Sequence, residues 1–307
     1  MQPLPDNVPV PQPERTSPAT PGPGISIIVP AKNEADSLRI LLPTLKETWP
    51  QAEILVIDDG STDETTAVCH SFAIRNVSLP YSLGNGAAVK HGARIARGSI
   101  LVFMDADGQH DPADIARLLG KLNEGYDMVV GARTGNSHAG LHRATANGIY
   151  NHLASWMTGQ RILDLTSGFR AVRADKFRRF LYLLPNGFSY PTTITMSFFR
   201  AGYLVAYVPI TAARRRGRSH IRLLRDGLRF LLIIFKIGAL YSPLKLFLPV
   251  SVAFFLLGLG RYLYTYTTSG RFTNMSALLW VTSIVVFLIG LVSEQISALN
   301  YKDSEKP

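Results

Sequence analysis

The chain has 307 residues, 47% hydrophobic and 18% charged, with one cysteine and a formal net charge of +10. This is enough apolar material for a full-sized domain plus an appendage, while the lone Cys69 excludes an intramolecular disulfide framework and suits a reducing compartment. The charge is concentrated: nine Lys/Arg stand between Arg214 and Lys245 against one acid, Asp226, so that segment needs its own explanation.

Residues 1–24 contain eight prolines and almost no apolar periodicity. They cannot bury enough surface to offset the entropy of ordering, and the expectation is a disordered tail. A secretory signal needs a basic start and an apolar core of about 7–15 residues; neither is present, so the N-terminus is expected to stay cytosolic.

From Gly24 to about Arg200 the pattern alternates between strand and helix. The runs ISIIVP (25–30), AEILVIDD (52–59), SILVFMDAD (99–107) and DMVVGAR (127–133) are continuous and apolar, as strands buried on both faces of a parallel sheet must be. Helical stretches lie between them at Glu34 to Trp49, Thr62 to Ala73, Gly86 to Arg97 and Pro112 to Asn123. Right-handed crossovers then predict a doubly wound, mostly parallel α/β domain over 25–213.

In such sheets ligands bind beyond the carboxyl ends of the strands. Polar residues gather there three times: Pro30, Lys32, Asn33 and Glu34 after the first strand, Asp58 to Ser61 after the second, and Asp105, Asp107, Gln109 and His110 after the fourth. Ser61 or Thr62 also suits a helix N-cap, and Asp111 before Pro112 reads best as a cap. Asp105 and Asp107, one residue apart, repel each other unless a cation intervenes. A hard ion, Mg2+ or Mn2+, takes one or two carboxylates together with phosphate oxygens, so this pair suits a metal holding a diphosphate, with Gln109 adding a neutral oxygen.

The ordered series PAKNE, VIDDGSTD, GNGAAVKHGARIARG, MDADGQHDP, GART and LDLTSGFRAVR resembles the family 2 glycosyltransferases, and within them the polyprenyl-phosphate sugar synthases of the dolichyl-phosphate mannose synthase type, from about Ile25 to Ser219. The resemblance implies a glycosyltransferase-A fold. It places Pro30, Glu34, Ile57 and Asp59 toward the nucleotide, and Asp105, Ala106, Asp107 and Gln109 at the metal and diphosphate. Arg133, Arg143 and Arg214 would neutralise phosphates, and Asp164 would lie nearest the attacking phosphate. An aspartate there faces an acceptor of its own sign, which is tolerable if it orients an arginine or the sugar hydroxyls; the alternative is a turn role before Thr166. Two departures stand out. Lys32 replaces the family's usual aromatic, and RRRGRSH puts Ser219 and His220 where the family's pattern ends in Ser-Lys, making a charge there pH-dependent.

The remaining third points to lipid. The stretch HIRLLRDGLRFLLIIFK (220–236) spaces apolar residues helically with arginines between them, as an interfacial helix on anionic lipid would; a soluble amphipathic helix is the alternative, and a nucleic-acid patch is disfavoured by the apolar spans that adjoin it. Phe272 to Ser293 is 22 residues without a charge and Leu246 to Gly260 is 15. Two transmembrane helices at about 244–264 and 272–294 are expected, after a basic segment 214–243 and before a tail 302–307. The basic residues flank the hairpin rather than its turn, which predicts an integral membrane protein with the catalytic domain and both termini cytosolic.

Together these features predict a metal-dependent, inverting transfer of a hexose from a UDP- or GDP-sugar to a polyprenyl phosphate, undecaprenyl or dolichyl, at the lipid bilayer; homo-oligomerisation is left open. A family 2 transferase acting on another acceptor and a non-catalytic nucleotide-sugar binder are the alternatives. A processive synthase is disfavoured because Trp49, Trp156 and Trp280 all lack the preceding Arg of a Gln-x-x-Arg-Trp motif, and a glycosidase because its carboxylate pair would not sit beside phosphate-directed arginines.

Overall fold

The computed structural model describes residues 24–133, 141–187, 189–211, 238 and 241–302, and of 141–147, 149 and 300–302 the backbone alone. Almost all of the proline-rich tail and of the basic segment 214–243 lie outside these residues.

Among the described residues seven strands form one sheet: β1 (Ile25–Ala31), β2 (Glu53–Asp58), β3 (Arg75–Ser78), β4 (Ile100–Phe103), β5 (Met128–Arg133), β6 (Arg170–Arg173) and β7 (Val205–Ile210), in the order β3-β2-β1-β4-β6-β5-β7. All neighbours are parallel except β6, which runs antiparallel to both β4 and β5. The fourth strand is shorter than its apolar run, because pairing with β6 stops at Phe103 opposite Arg170. Asp105 and Asp107 therefore stand beyond the sheet, in a loop.

Strand alternation assigns the two faces. Ile27, Val29, Ile54 and Val56 pack under α1 (Ala35–Thr48), α2 (Thr65–Ser71) and α4 (Asp114–Asn123). Ile28, Leu55 and Ile57 pack on the other face, under α3 (Asn85–Ile95), α6 (Ala174–Arg178) and α7 (Tyr190–Arg200). In α4 the buried residues Ile115, Leu118, Leu119 and Leu122 recur at helical spacing. Each such side chain contributes about 1.5–3 kcal/mol on burial. A third cluster joins α5 (Leu141–Thr158) to α7 through Tyr150, Ala154, Met157, Leu165 and Met196.

The chain ends in two long helices, Pro243–Ser269 and Asn274–Lys302, turned at Gly270 with φ 62. Both are long and apolar enough to cross a membrane, at about 1.5 Å per residue against roughly 30 Å of hydrocarbon. They run past the uncharged stretches because helical pairing continues through Lys245 and Glu294. Small residues let them approach closely. A Cβ on Gly258 would stand 2.6 Å from Trp280 Cδ1, and Ser251 and Ser283 exchange hydrogen bonds to each other's carbonyls at 2.9 and 2.8 Å. Leu256, Leu257, Val281, Ile284 and Val292 remain exposed on the outside.

Candidate active site

Because β1, β2 and β4 end beside one another, the residues after them share one edge of the sheet. The first two ends are clasped together. Asn33, at φ 55, donates its N–H to Ser61 Oγ at 2.9 Å and accepts Thr62 N–H on Oδ1 at 2.8 Å. Glu34 donates its N–H to Thr65 Oγ1 at 3.1 Å and accepts from Ser37 Oγ at 3.0 Å. Ser61 and Thr62 are thus loop clasps, and not the helix caps that their order suggests. Asp63 instead takes the first-turn N–H of Thr65, at 3.0 Å.

Asp58 and Asp59 are both buried, and each is supplied with its own donors. Asp58 accepts from Ser61 N–H and Thr66 Oγ1, both at 2.8 Å. Asp59 accepts from Ser82 Oγ at 2.6 Å and from the N–H groups of Leu83 at 2.7 Å and Gly84 at 2.9 Å. It therefore shapes the loop entering α3. Gly84 has φ 105, and a Cβ there would stand 2.6 Å from the Asn186 carbonyl, so no side chain fits. Pro30 and Ile57 are register partners at this edge. The Ile57 side chain is fully buried in the core beneath α3.

Asp105 is the centre of the site. Its Oδ2 lies 3.9 Å from His110 Nε2, and the buried His110 ring stacks on Phe169 with centroids 4.8 Å apart. Burial on its own would raise the Asp105 pKa, but the neighbouring His110 imidazole, then the Arg133 charge and the Asn85 amide, outweigh it and hold the carboxyl below its ordinary range. Ala106 is buried, and Asp107, partly exposed, accepts from Gln109 N–H at 3.2 Å. Asp111 accepts from Ala113 N–H at 2.9 Å and so closes the turn that precedes α4; it is not the helix cap expected of it, because the N-cap position falls on Ala113.

Opposite stands a bidentate pair. Arg133, at the end of β5, donates Nε to Asp164 Oδ2 at 2.8 Å and Nη2 to Oδ1 at 3.0 Å, and its N–H reaches Oδ2 at 3.2 Å. Nη2 also meets Thr166 Oγ1 at 2.5 Å. Asp164 further accepts the N–H groups of Thr166 and Ser167, each at 3.1 Å. Burial raises its pKa; the hydrogen bond and charge of Arg133 outweigh that and leave it lowered. Asp164 thus shapes the turn before Thr166 and also holds the Arg133 guanidinium in place. The turn then passes close to Asp105: a Cβ on Gly168 would stand 3.0 Å from Asp105 Oδ2.

Arg143 lies on α5 with its side chain outside the described residues, as do Arg214, Ser219 and His220 altogether. Two residues without an expected role belong to the site. Asn85, at the start of α3, touches Asp105. Arg170 on β6 is fully buried and donates to Ser167 O, to Pro191 O at 3.2 Å and to Thr195 Oγ1 at 3.2 Å. Its only sequence signal is a charge in the short run FRAVR (169–173).

The donor set fits a hard divalent ion. Among the described residues no three His, Cys, Asp or Glu gather as a complete metal cage. Two carboxylates open to a crevice are what Mg2+ or Mn2+ takes when phosphate oxygens and water complete the shell. Asn85 Oδ1 and His110 Nδ1, beside Asp105, and Ser167 Oγ, next to Gly168, are buried without protein partners, leaving polar capacity for a ligand.

A mixed sheet of this order, with a diaspartate loop at one strand end and an arginine held by a carboxylate across from it, defines a glycosyltransferase of the glycosyltransferase-A type. The model described as Glycosyl transferase family 2 matches residues 26–181 and that described as GtrB C-terminal hairpin matches 242–299, and the chain belongs to glycosyltransferase family 2. It is 30% identical over 247 residues to the glycosyltransferase AglJ of Haloferax volcanii, covering 78% of this chain and 80% of that protein. It is 31% identical to the polyprenol monophosphomannose synthase of Mycolicibacterium smegmatis over 62% of this chain and 77% of that one. The undecaprenyl-phosphate mannosyltransferase of Micrococcus luteus is also 31% identical, over 61% and 83%. Among solved structures, glucosyl-3-phosphoglycerate synthase from Mycobacterium tuberculosis, in complex with Mn2+, uridine diphosphate and phosphoglyceric acid, superposes with a TM-score of 0.57 at 24% identity over 71% of this chain and 78% of that one, which shows the fold. The protein is a nucleotide-sugar glycosyltransferase.

Proposed function

We propose that this glycosyltransferase moves a hexose from a nucleotide diphosphate sugar to the phosphate of a membrane polyprenol, with inversion. The observation that carries the reading is that the Asp105 crevice and the Arg133–Asp164 pair belong to a chain ending in a hairpin long enough to span a bilayer. Relatives named for transfer to polyprenol or undecaprenyl phosphate support the acceptor, and a fold neighbour holding Mn2+ and uridine diphosphate supports the donor class and a divalent ion.

Asp105 and Asp107 would hold the ion, with Gln109 beside them; when bound it supplies Lewis-acid neutralisation of the diphosphate. Pro30, Glu34 and Asp59 shape the nucleotide wall. Arg133, kept charged and oriented by Asp164, positions the lipid phosphate, whose oxygen forms the new bond to the anomeric carbon while the bond to the nucleoside diphosphate breaks and its electron pair leaves with that group. The acceptor is already ionised near neutral pH, so Asp164 need not take a proton. Arg143, Arg214, Ser219 and His220 complete the phosphate-binding set.

The test is incubation of the detergent-extracted protein with a panel of UDP- and GDP-hexoses, undecaprenyl or dolichyl phosphate, and Mg2+ or Mn2+. Formation of a lipid-linked monosaccharide that stops with chelator is expected. Transfer only to non-phosphorylated acceptors, or chain growth, overturns the reading.

A further inference from the structure

Glu294, in the second hairpin helix, is the first charge after the 22 uncharged residues Phe272 to Ser293. An ionisable group inside such a helix is costly and survives only with partners. Here its Oε2 accepts Leu244 N–H at 3.2 Å, at the start of the first hairpin helix, where exposed N–H groups and the helix dipole favour an anion. Its Oε1 lies 3.6 Å from Arg200 Nη2, and Arg200 is the last residue of α7. Arg200 also donates to Tyr241 O and lies over the Tyr241 ring, 5.7 Å from its centroid. A second tie runs alongside, with Lys245 Nζ donating to Met157 O at 2.9 Å near the end of α5.

Both tied helices lead to the acceptor wall. At the far end of α7, about 15 Å away by helical rise, Tyr190 Oη donates to Gly168 O at 3.3 Å, and a Cβ on Gly168 would meet Asp105. On α5, Asn151 grips the loop around Asp164, donating to Leu163 O at 2.7 Å and accepting Leu165 N–H at 3.0 Å. The hairpin is thus connected to Asp105 through one helix and to Asp164 through the other. A hairpin serving only as an anchor would need neither contact.

We infer that Arg200 and Glu294 are positioning residues: their joint fixes the height and tilt of the catalytic crevice over the bilayer, so that a membrane-held phosphate reaches Arg133. This rests on the lipid-phosphate reading for its kinetic consequence but not for its geometry. Two full-length variants, Glu294→Gln and Arg200→Gln, in lipid nanodiscs test it. Spin labels on cysteines replacing exposed Tyr182 and Ser269 report the joint directly. The distance distribution is expected to be narrow in the parent and broadened in both variants, with Arg200→Lys close to the parent.

In kinetics the KM for undecaprenyl phosphate should rise about tenfold, equivalent to roughly 1.4 kcal/mol, while donor KM and turnover of a water-soluble short isoprenyl phosphate hold. Unchanged distance distributions overturn the joint, as does an equal loss on both acceptors together with weakened donor binding, which marks a folding defect. If the parent transfers to neither phosphate, the proposed acceptor fails, and the distance measurement still decides the joint.

Discussion

At the scale of residues, the arrangement that matters most is a carboxylate serving a cation. Asp164 accepts Arg133 in bidentate geometry, which fixes a planar guanidinium as a phosphate ligand would require. Asp164→Asn keeps shape but removes the charge, and turnover is expected to fall about 10²-fold or more, in the range of positioning residues, with donor binding unchanged in calorimetry. Retained turnover with only lowered thermal stability would make it structural. The pH dependence has a definite sign. The folded pKa is depressed, so the pair's stabilisation is complete above the ordinary aspartate value of about 3.9 and is lost as pH falls through the lower folded value. Acid unfolding monitored by circular dichroism should therefore lose part of its low-pH steepness in Asp164→Asn. Asp105→Ala and Asp107→Ala should each abolish detectable transfer, whereas Asp111→Ala, in a turn, should retain most of it. Arg170 raises a different issue: burial lowers its pKa, and the charges of Tyr190, Tyr207, Asp164 and Asp105 act against that effect. Arg170→Met removes three hydrogen bonds beneath the Ser167–Gly168 turn and should lower the melting temperature, by differential scanning fluorimetry, more than any single change on the hairpin's outer face.

At the scale of elements, legibility follows the physics of each segment. β1, β2 and β5 are buried on both faces and read as unbroken apolar runs; α1, α3 and α4 carry one apolar face each, and all are legible with ends displaced by a few residues. What the sequence hid was built by tertiary contacts. β6 is four residues long and begins with buried Arg170; β7 contains Pro209, tolerable where β7 is the sheet's edge. α7 reads YPTTITMSFFR, a β-branched run with strand propensity, yet burial of Tyr190 to Phe198 makes it helical. Site residues on strand ends are legible for the same reason as the strands. Asn85 and Arg170 are not, because their roles arise from a partner far away in the chain. The hairpin's contacts are of that kind also. Gly258→Leu would push a side chain into Trp280 and should separate the two helices, seen as loss of a disulfide engineered between positions 251 and 283, whereas Ser251→Ala should cost only about 0.6 kcal/mol.

For the whole molecule, charge distribution and chemistry must agree on orientation. Eight basic residues precede the hairpin, Lys245 lies in the first turn of its first helix, Lys302 closes its second helix and Lys306 follows, while the turn end offers only Arg261 and Arg271. The positive-inside rule then predicts the catalytic domain on the cytosolic face, the side where a nucleotide sugar is available. Cys69 makes this testable without removing it. It is buried, and desolvation with the neighbouring Asp58 charge pushes its thiol up to about 11, so it should not react with maleimide near neutral pH. A cysteine replacing exposed Tyr81 marks the domain, and one replacing Ser269 marks the turn. In intact cells a membrane-impermeant maleimide should label the Ser269 variant and leave the Tyr81 variant unlabelled until the membrane is opened. The reverse pattern would put the crevice outside and remove its donor supply. Absence of labelling on both until the membrane is opened would mean that the two helices lie along the cytosolic face and do not cross it, and the joint at Glu294 would then hold the domain beside the bilayer instead of above it.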